Sequence, residues 1–453
     1  MAVAPTTIFA LASAPGRAGV AVLRLSGPQA GAALLALTPD LVALPSPRRA
    51  VRVFLYAPEQ QTDTKREQID DGLALWFPAP ASFSGEDVVE LHVHGGHAVL
   101  DALMTSLQAL PGLRPAMPGE FSRRAFECGK MDLTAVEAIA DLVDAETAAQ
   151  RQQALAQMGG SLSRLYDGWR ARLISSLAFA EASIDFAEED IPDDLARQSI
   201  EALRTLSTEI AAHLADGGIG ERIRSGFRIA LTGAPNVGKS SLLNALAKRD
   251  VAIVTDIAGT TRDVIEVPLD LGGYATVLID TAGIRDSTDV IEQEGVRRAR
   301  AEAATADLQL HLVEASRCPV DLSVDPQALL ILTKSDQVSD HDRISLPDKA
   351  MVISALTGDG LGALIREITA RIAARASAHT AASAPLTRAR HRHALEECLA
   401  ALERVLEAAA KGADEEMMAE DIRLAAHALG RITGRVDVEE LLDRIFRDFC
   451  IGK

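Results

Sequence analysis

The chain has 453 residues, 48% of them hydrophobic, and a formal net charge of −18. This length predicts roughly two to four domains, and this hydrophobic fraction excludes an intrinsically disordered chain. The acidic balance argues against a nucleic-acid scaffold that binds through its whole surface, but it leaves a local basic site open. No apolar run is long enough for a membrane span, the N-terminus lacks the basic region of a signal peptide, and the scattered cysteines fit a reducing cytoplasm.

Three compositions follow one another along the chain. Residues 1–120 combine short apolar runs, such as 87–94, with turn residues, which predicts a small α+β domain. Residues 121–215 are rich in Ala, Leu, Glu and Arg, carry apolar residues at helical spacing, and resemble residues 379–453 in this pattern. Neither helical half looks self-sufficient, so we predict one helical domain that is interrupted by a nucleotide domain over residues 216–378.

The most specific motif is a phosphate-binding loop. Residues 233–240 read Gly-Ala-Pro-Asn-Val-Gly-Lys-Ser, between an apolar run (227–231) that predicts a strand and a run (241–246) that predicts a helix. Glycines let backbone N–H groups surround phosphate oxygens, and the helix N-terminus adds partial positive charge. Lys239 is expected to reach the β- and γ-phosphates, and the Ser240 hydroxyl to hold Mg²⁺. The loop residues predicted to bind GTP are Asn236, Val237, Gly238, Lys239, Ser240 and Ser241.

Further motifs follow at the carboxyl ends of predicted strands, where ligands bind in open α/β sheets. Asp280, after the strand 276–279, begins Asp-Thr-Ala-Gly and is expected to hold Mg²⁺ through water, while Thr261 would complete the Mg²⁺ shell. Asp336, after the strand 329–332, can accept two N–H donors from guanine, which predicts GTP over ATP because adenine lacks that donor pair. These motifs predict nucleotide contacts at Thr260, Thr261, Asp280, Thr281, Ala282, Gly283, Thr333, Lys334, Asp336, Ser354, Ala355 and Leu356.

Two positions depart from the common GTPase pattern. Many GTPases carry, after Asp-x-x-Gly, a glutamine that orients the attacking water, but this chain has Ile284, which cannot form a hydrogen bond. Hydrolysis is therefore expected to be arranged differently or to be slow. The guanine motif begins with Thr333 instead of Asn, so one hydroxyl remains while the paired groups of an amide are lost. Guanine selectivity is expected to survive, and the affinity for GTP stays open.

Several short motifs lie outside the nucleotide loops. They are 14–19 (Ala-Pro-Gly-Arg-Ala-Gly), 23–27 (Leu-Arg-Leu-Ser-Gly), 84–91 (Ser-Gly-Glu-Asp-Val-Val-Glu-Leu), 95–96 (Gly-Gly), 118–122 (Pro-Gly-Glu-Phe-Ser), 124–126 (Arg-Ala-Phe), 129–133 (Gly-Lys-Met-Asp-Leu) and 449–453 (Phe-Cys-Ile-Gly-Lys). With these flanks around a central nucleotide domain, the chain resembles the MnmE (TrmE) family of tRNA modification GTPases along essentially its whole length.

The resemblance implies a multidomain α/β plus α fold, in which a Ras-like P-loop GTPase domain is inserted in a helical domain and follows an N-terminal α+β folate-binding domain. It implies a homodimer that is cytoplasmic and does not bind membranes. It also implies a partner flavoprotein, MnmG, which would carry FAD. The two would add an aminomethyl or carboxymethylaminomethyl group at carbon 5 of the wobble uridine of tRNA, using a one-carbon unit from a tetrahydrofolate derivative. Dimerisation of the nucleotide domains would drive the GTP hydrolysis that is coupled to this chemistry.

The resemblance also assigns the folate site. It places folate contacts at Arg24, Glu90, Lys130 and the terminal Lys453. The residue types suit the ligand, since a glutamate tail favours Arg or Lys and the pterin N–H donors favour a carboxylate. From the residues alone, solvated surface charges remain the alternative interpretation of Arg24 and Glu90.

A potassium site and a catalytic set are implied as well. Asn236 and backbone oxygens around Thr255, Ile257 and Thr260 would bind K⁺ beside the phosphates, where its charge performs the task of an arginine finger. Thr255 thereby joins the predicted nucleotide contacts. The implied catalytic residues are Glu292, which would orient the attacking water, Arg285 nearby, and Cys450. For Cys450 the roles of nucleophile, proton donor and docking element stay open, and Gly452 is expected to make the tail flexible.

Two alternatives remain at this stage. A basic cluster within residues 388–393 either contacts tRNA phosphates or forms a solvated helix face; its members are Arg388, Arg390, His391, Arg392 and His393. The chain as a whole is either the GTP-hydrolysing component of a wobble-uridine modification enzyme or a GTPase switch in ribosome or RNA assembly without modification chemistry. The folate motifs and Cys450 favour the first, because a switch needs neither.

Overall fold

The computed structural model describes residues 6–58, 66–185, 193–215, 218–249, 251, 266–280, 306–317, 328–338, 347, 350–379, 384–412, 415–436, 442, 445–446, 449 and 452. The chain divides into two compact units. The first unit contains residues 1–140 and 430–453, and the second contains residues 141–429. None of the helices in the described ranges combines the length and the apolar composition that crossing a bilayer requires.

The first unit is built on a six-stranded sheet, as the α+β prediction required. Its strands are β1 (Thr7–Leu11), β2 (Ala18–Ser26), β3 (Val51–Tyr56), β4 (Gln68–Phe77), β5 (Val88–Gly95) and β6 (Leu113–Pro115). The spatial order is β3-β4-β5-β2-β1-β6, with antiparallel neighbours except for the parallel pair β1–β6. Helices α1 (Ala30–Leu37) and α2 (His97–Ala109) contribute Leu34 and Leu103 to the core on one face.

Side-chain alternation along β2 separates the two faces of this sheet. Leu23 and Leu25 are fully buried in the core with the helices, so Arg24 between them points to the opposite face. Helix α3 (Glu120–Glu127) supplies Phe121 to a smaller cluster with Ile8 on β1. Helix α4 (Leu133–Val143) begins in this unit and packs through Leu133 against Phe446 near the chain end.

The second unit contains the predicted nucleotide domain, whose sheet is mostly parallel. Its strands are β7 (Phe227–Gly233), β8 (Glu266–Leu271), β9 (Tyr274–Asp280), β10 (Leu308–Glu314), β11 (Leu329–Thr333) and β12 (Met351–Val352). Their order is β12-β11-β10-β7-β9-β8, and only β8 runs antiparallel to its neighbour. Helices α8 (Ile219–Ser225), α9 (Lys239–Ala247) and α10 (Leu361–His379) accompany the sheet. The strands predicted at 227–231, 276–279 and 329–332 are confirmed.

Five further helices lie wholly or mostly in the described part of the second unit, as their apolar spacing predicted. They are α5 (Ala148–Met158), α6 (Ser161–Asp185), α7 (Asp193–Leu214), α11 (Ala389–Lys411) and α12 (Glu415–Thr433). Tyr166 of α6 is fully buried, and its hydroxyl forms a hydrogen bond of 3.2 Å with Nε2 of His213 on α7. Its ring meets that of His391 of α11 edge-on, with centroids 6.2 Å apart. These contacts join three helices around one aromatic centre.

The basic cluster at the start of α11 lies largely inside this unit. The Arg388 guanidinium donates to Asp141 Oδ1 over 2.7 Å, and Arg392 donates to the Leu214 carbonyl over 3.0 Å. His391 is fully buried. These three side chains therefore stabilise the helical packing internally, which neither the tRNA-phosphate interpretation nor the solvated-face interpretation anticipated. Only His393, in this cluster, is strongly exposed.

Candidate functional site

Some predicted site residues lie outside the described part of the chain, and the others are divided between the two units. Those outside the described residues are Thr255, Ile257, Thr260, Thr261, Thr281, Ala282, Gly283, Arg285, Glu292, Cys450 and Lys453. The phosphate loop, Asp280, the guanine motif and the residues around Ser354 lie in the second unit. Arg24, Glu90 and Lys130 lie in the first unit. The described residues therefore form two candidate sites, one in each unit.

The phosphate loop connects β7 to α9 and has the backbone that the motif predicted. Gly233 has φ +134°, and a Cβ there would collide with the carbonyl oxygen of Leu312 on β10. Asn236 adopts φ +62°, a left-handed conformation that asparagine tolerates better than most residues. Gly238, with φ +108°, caps the N-terminus of α9. The loop thus curves closely over the sheet edge and directs the start of α9 toward it.

Lys239 is held against the loop. The residue is only 4% exposed, and its ammonium donates to the carbonyls of Gly233 (2.5 Å) and Ala234 (2.9 Å). Burial lowers the pKa of Lys239. His311 on β10 lies nearby, with Nδ1 3.1 Å from Thr232 Oγ1. Burial, and then the Lys239 charge, lower the pKa of His311, so a neutral imidazole is favoured behind the loop.

Two of the three groups predicted around magnesium, Ser240 and Asp280, meet where α9 begins and β9 ends. Asp280 ends β9 opposite Leu231 of β7 and is 7% exposed. The Ser240 hydroxyl donates to Asp280 Oδ2 over 3.2 Å. Hydroxyl and carboxylate oxygens are the ligand types that Mg²⁺ prefers, together with water and phosphate. This pair therefore fits a magnesium ion in the chemistry of its donors.

The predicted guanine motif is held in place by side-chain hydrogen bonds. The Thr333 hydroxyl donates to the Val237 carbonyl in the phosphate loop over 2.5 Å and lies 3.2 Å from the Val313 carbonyl. Threonine therefore links the end of β11 to the phosphate loop with its single hydroxyl. The Ser354 hydroxyl donates to Asp336 Oδ1 over 2.6 Å and so orients the carboxylate that was predicted to read guanine. Leu356, two residues after Ser354 and also a predicted nucleotide contact, is 85% exposed.

The sequence motifs did not predict one charged residue beside the guanine motif, Glu314. Glu314 ends β10, and its Oε2 accepts a hydrogen bond from Lys334 Nζ over 3.1 Å. Its only sequence signal is an acidic residue that directly follows an apolar strand, since no motif includes it. The contact brings Lys334 of the guanine motif into an ion pair with the neighbouring strand.

In the first unit, Arg24 and Glu90 form an ion pair. They are direct partners across β2 and β5, and the guanidinium donates twice to Glu90 Oε1, from Nε over 3.0 Å and from Nη2 over 2.8 Å. The guanidinium also lies over the rings of Phe83 and Phe121, 5.1 Å and 5.9 Å from their centroids. Neither charge is an isolated solvated one, so that alternative interpretation is wrong for this pair.

The neighbouring motif residues form an ion network. Arg124 of α3 donates to Glu86 Oε2 (3.0 Å) and to Glu120 Oε1 (3.0 Å). The Ser26 hydroxyl donates to Glu86 Oε2 over 2.6 Å, and Arg114 forms two hydrogen bonds with Glu120. The acidic residues of the 84–91 and 118–122 motifs are thus paired with arginines. Because a partly buried charge must be paired to be stable, this network fixes α3 against the sheet.

Lys130 contacts the segment 80–85, which precedes β5. Its ammonium donates to the Pro80 carbonyl over 3.0 Å. Gly85 has φ +83°, and a Cβ there would lie 3.2 Å from Lys130 Cγ. Since Phe83 of this segment contacts Arg24, the segment 80–85 brings Arg24, Glu90 and Lys130 into one region. The structure thereby gathers the three described folate candidates.

The chain end packs against this unit. Phe449 is 9% exposed and its ring centroid lies 5.5 Å from that of Phe446. Gly452 has φ +102°, and a Cβ there would collide with the carbonyl oxygen of Leu11 at the end of β1. Close approach, and not flexibility, is therefore what requires glycine at this position. Ala10, next to Leu11, is the cross-strand partner of Arg24.

Comparisons with known proteins agree on one family. The model of the "MnmE helical domain" matches residues 133–450, and that of the "GTP-binding protein TrmE N-terminus" matches residues 7–130. The chain is 55% identical to the tRNA modification GTPase MnmE of Parvibaculum lavamentivorans, over 99% of this chain and 100% of that protein. It is 54% identical to the protein of that name in Paramagnetospirillum magneticum, over 99% of both chains. The chain therefore belongs to the MnmE family of tRNA modification GTPases.

Proposed function

We propose that this chain is the GTP-hydrolysing component of a complex that modifies the wobble uridine of tRNA. The observation that carries the proposal is the gathering of Lys239, Asp280 and Asp336 at the carboxyl edge of one largely parallel sheet, in a member of this family. The group added at uridine carbon 5 is an aminomethyl or carboxymethylaminomethyl group. Its one-carbon unit comes from a tetrahydrofolate derivative bound by the first unit.

The phosphate loop would hold the GTP phosphates by exchanging its internal bonds for stronger ones. Lys239 already lies against the loop, and phosphate oxygens carry a negative charge that the carbonyl oxygens they would replace lack, so they would attract the ammonium more strongly. Ser240 and Thr261 would hold Mg²⁺, with Asp280 acting through water; when bound, this ion neutralises charge on the β- and γ-phosphates. The Ser240–Asp280 contact supports this assignment.

Hydrolysis without a glutamine calls for another source of positive charge and another group to orient water. Asn236, with backbone oxygens of Thr255, Ile257 and Thr260, would hold K⁺, which when bound supplies charge beside the bond that breaks. The exposed Asn236 side chain and its left-handed backbone support this role. Glu292 would orient the attacking water, with Arg285 nearby in the chain.

Replacing Asp336 by asparagine is expected to weaken GTP binding and to improve binding of xanthosine triphosphate, because acceptor and donor exchange places. Losing a charge-assisted pair costs about 1.5–3 kcal/mol, equivalent to a roughly 10- to 150-fold higher Kd. Competition against fluorescent GDP measures the affinities for GTP and for xanthosine triphosphate. The control is Ser354→Ala, which removes the 2.6 Å hydrogen bond to Asp336 but keeps the carboxylate, so it should weaken binding without changing base preference. Unchanged GTP affinity in Asp336→Asn would show that Asp336 does not read the base.

The folate site would use the ion pair and the lysine around segment 80–85. Glu90 would accept the pterin N–H donors, while Arg24, Lys130 and the terminal Lys453 would bind the glutamate tail. A bound tetrahydrofolate derivative supplies the one-carbon unit. The packing of Gly452 at the end of β1, next to the cross-strand partner of Arg24, supports the inclusion of Lys453 in this set.

Lys130→Ala is expected to weaken binding of a reduced folate by about 10-fold while the GTP affinity stays unchanged, because a charge-assisted contact is lost in one unit only. Calorimetry on the full chain measures both ligands. Arg52→Ala is the matched control, since Arg52 lies on the same sheet and pairs with Asp71 in an exposed position. Absence of any folate binding heat with the intact protein would remove the one-carbon role from the proposal.

The partners are a second copy of this chain, the FAD-carrying flavoprotein MnmG and tRNA. Dimerisation through the first unit is supported by apolar side chains on its sheet, since Val20 is 60% exposed, Phe54 37% and Leu73 41%. Exposed apolar side chains of this kind mark interaction surfaces when they cluster. Cytoplasmic location and insertion of the nucleotide domain (216–378) within the helical domain are further parts of the proposal.

Mass analysis of tRNA from a strain that lacks this protein tests the proposal most directly. Wobble uridines that normally carry the modification should be unmodified, and the gene supplied in trans should restore it. Fully modified tRNA in the deletion strain would refute a role in this chemistry. A ribosome-assembly defect with normal tRNA would instead identify a GTPase switch.

A further inference from the structure

We propose that Glu314 is a positioning residue of the guanine site, which holds the Lys334 side chain in place to receive the base. The inference rests on the proposed guanine-binding role of residues 333–336. It concerns a residue outside every nucleotide motif, whose side chain contacts that site through Lys334.

The strand register places Glu314 beside the guanine motif. Glu314 and Thr333 are direct partners in the parallel pair β10–β11, and Lys334 is the next residue. The hydrogen bond from Lys334 Nζ to Glu314 Oε2 (3.1 Å) therefore directs the lysine stem from β11 toward β10. Since β10 lies between β11 and the strand that leads into the phosphate loop, the stem lies along the carboxyl edge that GTP would occupy.

The backbone of Lys334 is held in an unusual conformation. Its φ of +57° is left-handed, which is unfavourable for a residue with a side chain. The peptide group that follows Lys334 is held by two hydrogen bonds, since Gln337 N donates to the Lys334 carbonyl (3.0 Å) and Ser335 N donates to the Ile353 carbonyl (3.1 Å). This fixed backbone directs the lysine side chain away from the strand direction. Glu314 then determines where the far end of that side chain lies.

The Glu314 carboxylate is suited to this task. Its side chain is 18% exposed and that of Lys334 is 31% exposed, so the pair is partly shielded from water. The other oxygen, Oε1, accepts a hydrogen bond from Ser316 Oγ over 3.1 Å, which orients the carboxylate. The hydrogen bond from Lys334, followed by that from Ser316, lowers the pKa of Glu314, so the group is ionised at neutral pH. Arg317 is a weaker neighbour, 3.9 Å away and 81% exposed.

The two residues of the motif then have separate tasks. Asp336 would bind the edge of guanine, whereas the methylene stem of Lys334, fixed by Glu314, would offer an apolar surface beside the ring. Releasing Lys334 should weaken nucleotide binding without altering the preference for guanine. It should leave kcat unchanged as well, because the reacting phosphates are held by the phosphate loop.

The test is a double-mutant cycle on the full chain, with fluorescent GDP affinity and steady-state GTP hydrolysis as measurements. Glu314→Gln is expected to raise Kd and KM by about 3- to 10-fold with kcat unchanged. In a Lys334→Met background, which keeps an apolar stem but no charge, the same exchange should have no effect. Glu314→Asp should restore part of the affinity, and Arg317→Gln should match the parent.

Three outcomes would overturn the inference. They are an unchanged Kd in Glu314→Gln, an equal loss in the Lys334→Met background, and a fall in kcat in place of the rise in KM. Failure of the underlying guanine site is recognised separately, because Asp336→Asn would then also leave GTP binding unchanged. A thermal melt of each variant identifies any loss that arises from unfolding.

Discussion

In the Cys450→Ser variant, tRNA modification is expected to fall to background while GTP hydrolysis stays near the parent rate. Cys450 lies outside the described residues, but its neighbours Phe449 and Gly452 both pack on the first unit. Gly452 contacts the end of β1, one residue beyond the cross-strand partner of Arg24. The folate candidates Arg24, Glu90 and Lys130 belong to this unit, whereas the described residues predicted to bind GTP belong to the second unit.

Modification is measured by mass analysis of wobble uridines, and hydrolysis by phosphate release from the same preparation. Cys128 provides a matched control because it is exposed, lies in the same unit, and has a pKa raised first by desolvation, so Cys128→Ser should retain both activities. A covalent tRNA adduct on the parent, absent from Cys450→Ser, would identify a nucleophile. Cys398 is not expected to form such an adduct, since burial raises its pKa to about 12 and keeps the thiol protonated.

Two results would contradict this prediction in different ways. Normal modification by Cys450→Ser would mean that the thiol is structural. A parallel loss of modification and GTP hydrolysis would indicate a defect in folding or assembly, which a thermal melt would detect. Modification without any trapped adduct in the parent would leave proton donation or docking as the role of the residue.

The second large effect is expected at Asn236. GTP turnover should be much faster in K⁺ than in Na⁺ at equal ionic strength, and Asn236→Ala should be slow in both. A preorganised charge beside a developing anion typically contributes on the order of 100- to 1,000-fold to kcat. Since the Ile284 side chain cannot form a hydrogen bond with the attacking water, a cation beside the phosphates would supply the missing stabilisation of the transition state. Phosphate release in matched K⁺ and Na⁺ buffers measures the effect.

Asn244→Ala is the control for this experiment. It makes the same exchange at an exposed position in α9, beyond the loop, and should keep the full difference between the two ions. GDP affinity should change little in Asn236→Ala, because Lys239 and the loop backbone still bind the phosphates. Equal turnover in K⁺ and Na⁺ by the parent chain would remove the potassium account. A persistent K⁺ dependence in Asn236→Ala would leave K⁺ in place but exclude Asn236 as its ligand.

Several features of this protein could be read directly from short stretches of sequence. The phosphate loop over 233–240 needs glycines at fixed spacing between a strand and a helix, and all of that information lies within about twenty residues. The same holds for β9 and β11, whose apolar runs end in Asp280 and just before Asp336. Local conformation and motif spacing depend on near neighbours, so the order of the GTPase elements was predicted correctly.

Only the tertiary structure decided which of these residues touch. The Thr333 hydroxyl reaches the Val237 carbonyl across 96 positions of sequence, and Arg24 pairs with Glu90 across 66. Both contacts depend on which strands become neighbours and in what register, and no short sequence window contains that information. The burial of His391 has the same origin, because packing of three helices, and not the local run of basic residues, determines its surroundings.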